Sequence, residues 1–180
     1  MSWKVKSKKE VYRNKWMYIT EDVVVTDYGD KSVFGIVHKE PAVLIIPWDG
    51  QKFLLVGQYR YSVDYFSWEF PQGHFEHKNI KEAAIHELEE EAEVKAEQLK
   101  EIGHFFLAPG HHTQKYYVFL ATGLSKGKAQ RDEDEEGMKT RKVTSGQMEK
   151  MIKNEEIMDG PTISGFQIFK LYSQKHFTKT

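Results

Sequence analysis

Two apolar runs, AVLIIPW at 42–48 and KFLLVGQYRY at 52–61, are joined by the turn Asp49-Gly50-Gln51. Short apolar runs of this kind, bounded by a turn, are strands of a buried sheet and require cover from other elements. Two further strands are predicted at EIGHFFLA and KYYVFLATGL, and helices over 79–94, 146–154 and from about residue 162. Strands and helices mix without a regular βαβ alternation, so the expected class is α+β, a mixed sheet with helices packed against it. Ahead of this block, VYRNKWMYITEDVVVTD and VFGIVHKE flank YGDKS, a hairpin signal in which Gly29 supplies the unusual dihedral. Residues 1–40 are therefore expected to form an antiparallel β extension of the domain at 41–180, too small to be stable alone.

Composition excludes several classes of function. With 26 basic and 27 acidic side chains the chain carries a net charge of −1, and no basic field is present for nucleic acid or an anionic membrane. The absence of cysteine removes disulfides, thiolate metal centres and a Cys nucleophile. No apolar run approaches the length of a membrane span, and MSWKVKSKKEVYRNKW lacks a signal-peptide core. The expectation is a soluble, cytoplasmic domain.

The chemistry concentrates in NIKEAAIHELEEEAEV, residues 79–94. Asn79 is a predicted N-cap, with Glu82 three residues on in a capping-box-like position. Glu87, Glu90 and Glu91 share about a third of the helix circumference, beside an apolar strip of Ala84, Leu88 and Ala92. Three carboxylates at this spacing repel one another, and a hard divalent cation relieves that repulsion; an all-oxygen shell suits Mg²⁺ or Mn²⁺ better than zinc. A solvated acidic helix face is the other reading of the same spacing. His74 and His77 lack further fixed ligands for a zinc site.

PQGHFE…KEAAIHELEEEAEV resembles the Nudix box, G-x5-E-x7-R-E-U-x-E-E-x-G-U with U apolar, and Glu87, Leu88, Glu90, Glu91 and Val94 match its second half. GQYRY, SWEFPQG, LAPGHHT with Pro109, and DGPTI resemble the ADP-ribose and nucleoside-diphosphate-sugar pyrophosphatase branch. The box is altered: Lys78 stands for the first Glu, His86 for the Arg and Glu93 for the closing Gly, and the loop after Gly73 is one residue short. His86 offers fewer donors than Arg for orienting a neighbouring Glu. Glu93 either lets the helix continue or strains a left-handed cap by about 1 kcal/mol.

The resemblance implies a Nudix α/β/α sandwich and hydrolysis of a diphosphate linkage by water, a reaction that asks the protein for charge neutralisation and positioning. It implies Mg²⁺ or Mn²⁺ on Glu87, Glu90 and Glu91, with the Gln72 carbonyl as a further ligand. Glu90 and His86 join the catalytic group. The general base is expected in RDEDEEG, where Glu133, Glu135 and Glu136 are candidates and Glu135 is preferred. Arg60 is the candidate phosphate clamp, Trp68 a stacking surface for a base, and His111 a contact at the rim of the site. A homodimer acting on a nucleotide sugar is implied, without nucleic acid or membrane. A nucleotide-sugar-binding regulator with weakened catalysis is the alternative, motivated by Lys78, His86 and Glu93; RNA-end hydrolysis would call for a basic stripe that is missing.

Overall fold

Strand β4 (Ala42–Pro47) is buried along its whole length, and its side chains alternate between two separate cores. The structure is a computed structural model that describes residues 3–74, 79–127 and 137–177. It divides into two compact units, one of residues 1–41 with 106–115 and one of residues 42–105 with 116–180.

In the first unit, β1 (Trp3–Arg13), β2 (Met17–Thr26) and β3 (Lys31–Lys39) form an antiparallel sheet in the order β1-β2-β3. The predicted turn is present: Gly29 sits at φ 90 and donates its N–H to Thr26 O at 3.0 Å. The expected hairpin is in fact three strands. Asn14 breaks the predicted first strand, its Oδ1 accepting from the N–H groups of Trp16 and Met17 at 2.9 Å each. Every residue of β1 is exposed, so no apolar alternation marks it in the sequence. Residues 106–115 add to this unit through His111 O and Val37 O, which accept from Val37 N–H and Thr113 N–H.

In the second unit β4 pairs parallel to β9 (Lys115–Lys126) and antiparallel to β7 (Gln72–His74), giving a mixed sheet of order β7-β4-β9-β8 with β8 at Val94–Phe106. A second sheet has the order β10-β5-β6, from β5 (Lys52–Arg60), β6 (Tyr65–Glu69) and β10 (Lys139–Thr144). Val43, Ile45, Leu54, Val56 and Phe119 pack with Ala83, Ala84 and Leu88 of α1 (Ile80–Ala92). Leu44, Ile46, Phe53, Leu55 and Val118 pack on the other side with Met148 and Met151 of α2 (Ser145–Lys153) and Phe166 and Phe169 of α3 (Gly160–His176). The period-2 alternation of the strands thus fills two layers of core, with α1 on one face and α2 and α3 on the other.

The helices start where their caps dictate. Asn79 Oδ1 accepts from Lys81 N–H at 2.8 Å, and Asp159 Oδ2 from Thr162 N–H at 2.8 Å with Pro161 in the first turn. The reciprocal capping box forms at Thr144 and Gln147. α1 ends as the altered box allows: Glu93 takes the left-handed cap conformation at φ 56, and the helix does not continue. Among the described residues no helix is long and apolar enough to cross a membrane.

Candidate active site

The segment before α1 docks onto its acidic face by backbone contacts. β7 pairs with β4 so that Gly73 lies opposite Val43, a residue of the core shared with α1. Any Cβ on Gly73 would overlap the carboxylate of Glu87. The neighbouring Gln72 N–H donates to Glu91 Oε2 at 2.9 Å, and Glu91 is 4% exposed. Two carboxylates four residues apart on α1 are thereby seated against two consecutive residues of β7.

Towards solvent on the same helix, His86 Nδ1 lies 2.8 Å from Glu90 Oε2. One donor atom each from His86, Glu87 and Glu90 falls within 4.8 Å of the others. This donor set and the recess left by Gly73 fit a divalent cation, and Glu91 lies one residue beyond, on the buried side.

Behind Gln72 stands a buried polar group. Glu69, 1% exposed, shares the face of the β5–β6 pair on which Val56 and Arg60 lie, because Val56 pairs with Glu69 and Arg60 with Tyr65. Arg60 Nε donates to Glu69 Oε1 at 2.9 Å and its second nitrogen to Glu69 Oε2, a bidentate ion pair in which the carboxylate is buried and the guanidinium partly exposed. The Gln72 side-chain amide bridges Glu69 Oε2 at 2.6 Å and Asp159 Oδ2 at 3.1 Å. Its Oε1 is buried and has no hydrogen-bond partner among the described residues. Burial, and then the charge of Glu69, raise the Asp159 carboxyl above its ordinary range, against hydrogen bonds from Thr162 and Gln72. Burial with help from Asp159 pushes the Tyr116 phenol up to about 12. Arg60 is held more firmly protonated than usual by its pair with Glu69, against its own burial.

The structure brings Gln72, Glu87, Glu90, Glu91 and His86 together along β7 and α1, with Arg60 joined to them through Glu69. Trp68 goes elsewhere. It alternates with Glu69 along β6 and packs at the edge of the opposite core, beside Phe66 at 5.6 Å and under the Arg141 guanidinium at 5.8 Å. His111 belongs to the first unit, where its N–H donates to Ala108 O and its carbonyl accepts from Val37 N–H. His77, Lys78, Glu133, Glu135 and Glu136 lie outside the described residues.

Glu69 and Asp159 are the site acids that sequence reading passed over. The signal for Glu69 was an acid in the strand YFSWE at a position that alternates with Ser67, and both residues are buried. The signal for Asp159 was its place just before Gly160-Pro161, which the cap accounts for on its own.

Comparison with known proteins agrees with this architecture. An "ADP-ribose pyrophosphatase" of Bacillus subtilis (strain 168) is 29% identical over 168 residues, covering 92% of this chain and 91% of that protein. A "Methanol dehydrogenase activator" of Bacillus methanolicus is 28% identical over 167 residues, covering 91% and 90%. A crystal structure of an "ADP compounds hydrolase" superposes with a TM-score of 0.86 over 97% of this chain and 96% of that one, at 17% identity, a likeness of fold. The model of the NUDIX domain matches residues 38–160, a span that takes in β7, α1 and the acids around them, and the chain belongs to the Nudix hydrolase family.

Proposed function

We propose that this Nudix hydrolase cleaves the diphosphate bond of ADP-ribose or a related nucleoside diphosphate sugar, with Mg²⁺ or Mn²⁺, to a nucleoside monophosphate and a sugar phosphate. The observation that carries the reading is the seating of Glu87 and Glu91 against Gly73 and Gln72 N–H, which holds the helix carboxylates beside β7. The relative named as an ADP-ribose pyrophosphatase supports the substrate class. Glu87, Glu90 and Glu91, with Gln72, are the residues assigned to the cation. When bound, the cation neutralises charge on the diphosphate and makes water more acidic.

The chain's own groups do the positioning. Glu91 is fixed by Gln72 N–H, and Glu90 is oriented by His86 in place of an Arg. Arg60, whose fork Glu69 already occupies, is assigned to a substrate phosphate as a fixed positive charge rather than a free clamp. Glu135 is assigned as the base that takes the proton from water. We also assign a cytoplasmic homodimer: β1 is an edge strand with Trp3, Val5, Val11 and Tyr12 about half exposed, a surface that a second copy would cover.

The alternative, a nucleotide-sugar-binding regulator, is favoured by one observation, the replacement of the box Arg by a half-exposed His86. Incubation of the full chain with a panel of nucleoside diphosphate sugars and Mg²⁺ or Mn²⁺ decides between them. Release of nucleoside monophosphate is the expected result; saturable binding without product at high protein concentration selects the regulator.

A further inference from the structure

Spacing alone groups Glu87, Glu90 and Glu91, yet the donor atoms that converge within 4.8 Å are those of His86, Glu87 and Glu90. Glu91 is turned to the buried side by its bond from Gln72 N–H. The third member of the solvent-facing group is therefore an imidazole, at the position where the family's box carries Arg. A guanidinium has no lone pair to give and serves only to orient carboxylates, whereas an imidazole nitrogen is itself a ligand for transition metals.

We propose that His86 Nδ1 binds the cation directly with Glu87 and Glu90, turning an all-oxygen site into a mixed nitrogen and oxygen one that prefers Mn²⁺ and Co²⁺ to Mg²⁺. The proposal rests on the reading of this helix face as the cation site. The geometry supports it at three points. Neighbouring donors in an octahedral shell with bonds of about 2.1 Å stand about 3.0 Å apart. His86 Nδ1 and Glu90 Oε2 are 2.8 Å apart, the spacing of two such neighbours. The recess at Gly73 admits the Glu87 carboxylate to the same group. The exposures complete the picture, at 49% for the His86 side chain and 12% for that of Glu90: the carboxylate forms the floor of the site and the imidazole its open side. Binding exchanges the hydrogen bond between His86 and Glu90 for two bonds to one cation. Imidazole raises affinity along the series from Mn²⁺ through Co²⁺ and does little for Mg²⁺, which retains water and carboxylate oxygen.

The test is electron spin-echo envelope modulation of the Mn²⁺-loaded full chain, beside calorimetric titration with Mn²⁺, Co²⁺ and Mg²⁺. The wild type should show the ¹⁴N modulation of a coordinated imidazole, and His86→Gln should abolish it while the circular dichroism melt persists. His86→Gln should weaken Mn²⁺ and Co²⁺ binding by about tenfold or more. Its Mg²⁺ affinity should move by less than about threefold. Stoichiometric Mn²⁺ binding without nitrogen modulation in the wild type overturns the proposal and leaves the carboxylate site standing. Modulation that survives in His86→Gln belongs to another imidazole and overturns it too. Failure of Mn²⁺ to bind at all removes this proposal together with the reading on which it rests.

Discussion

The backbone N–H of Gln72 donates to the carboxylate of Glu91 across 2.9 Å, tying the strand before α1 to the helix 19 residues on. Because the donor is backbone, any residue but proline at position 72 can make the bond, and the side-chain demand falls on position 91 alone. Gln at that position keeps an acceptor for the N–H and removes the charge. Glu91→Gln should therefore fold, lose about 1 kcal/mol of stability as a charged bond becomes a neutral one, and lose about 100-fold or more of its sugar-nucleotide hydrolysis with Mg²⁺. Glu89 faces away, 3.8 Å from the exposed Lys95. Glu89→Gln should leave the rate within about twofold. Steady-state assays of the two variants side by side check this, and equal losses would place the active helix face elsewhere.

Gly73 and Glu87 form a second link between the same two elements, steric rather than hydrogen-bonded. Gly73→Ala should destabilise the chain by about 1–3 kcal/mol as the new methyl and the carboxylate compete for one space. Glu87→Ala vacates that space. The double variant should then regain stability relative to Gly73→Ala, with a coupling of about 1 kcal/mol or more in a urea-unfolding cycle. Additive effects would show that the two groups are not in contact in solution.

How much of this was legible in the sequence depends on whether the cause was local. Asn79, the Ala84–Leu88 strip and the Glu87, Glu90, Glu91 spacing are properties of one helix, and α1 follows them to within two residues at either end. The apolar runs at β4 and β5 likewise announce burial on both faces. β1 was illegible because its partner β2 orders it through backbone bonds while its side chains stay in solvent. Glu69 and Asp159 were illegible as a pair because it is the fold that brings them together, bridged by Gln72, from the end of β6 and the cap of α3, far apart in the chain. Arg60 reads in the sequence as a phosphate clamp, and the structure engages its fork with Glu69, on the partner strand of the β5–β6 pair.

Glu93 occupies the left-handed cap of α1 at φ 56, where a residue with a Cβ is strained, and its carbonyl accepts from Gly127 N–H at 2.7 Å. Glu93→Gly keeps that backbone bond and removes the Cβ. It should raise stability by about 0.5–1 kcal/mol, the relief of the cap exceeding the added freedom of the unfolded chain. The shift in urea midpoint at constant slope measures it. A loss of stability would mean that the Glu93 side chain contributes more than its backbone strain withdraws.

Asp159 caps α3 through Thr162 N–H and lies close to Glu69, so it performs one structural task that needs only an oxygen and carries a charge that the site opposes. Its carboxyl is raised above 3.8 in the folded protein. Between pH 3.8 and that raised value the folded protein holds more proton than the unfolded chain, and stability contributed by this group falls as pH rises through the window. Asn caps a helix as well as Asp, accepts from the same N–H and does not titrate. Asp159→Asn should match the wild type below the window, gain on it steadily through the window, and hold a constant lead above it. Urea unfolding of both proteins at a series of pH values reads the difference directly. A variant less stable at every pH would show that attraction between Asp159 and Arg60 outweighs burial and the repulsion from Glu69, reversing the sign assigned to this carboxylate.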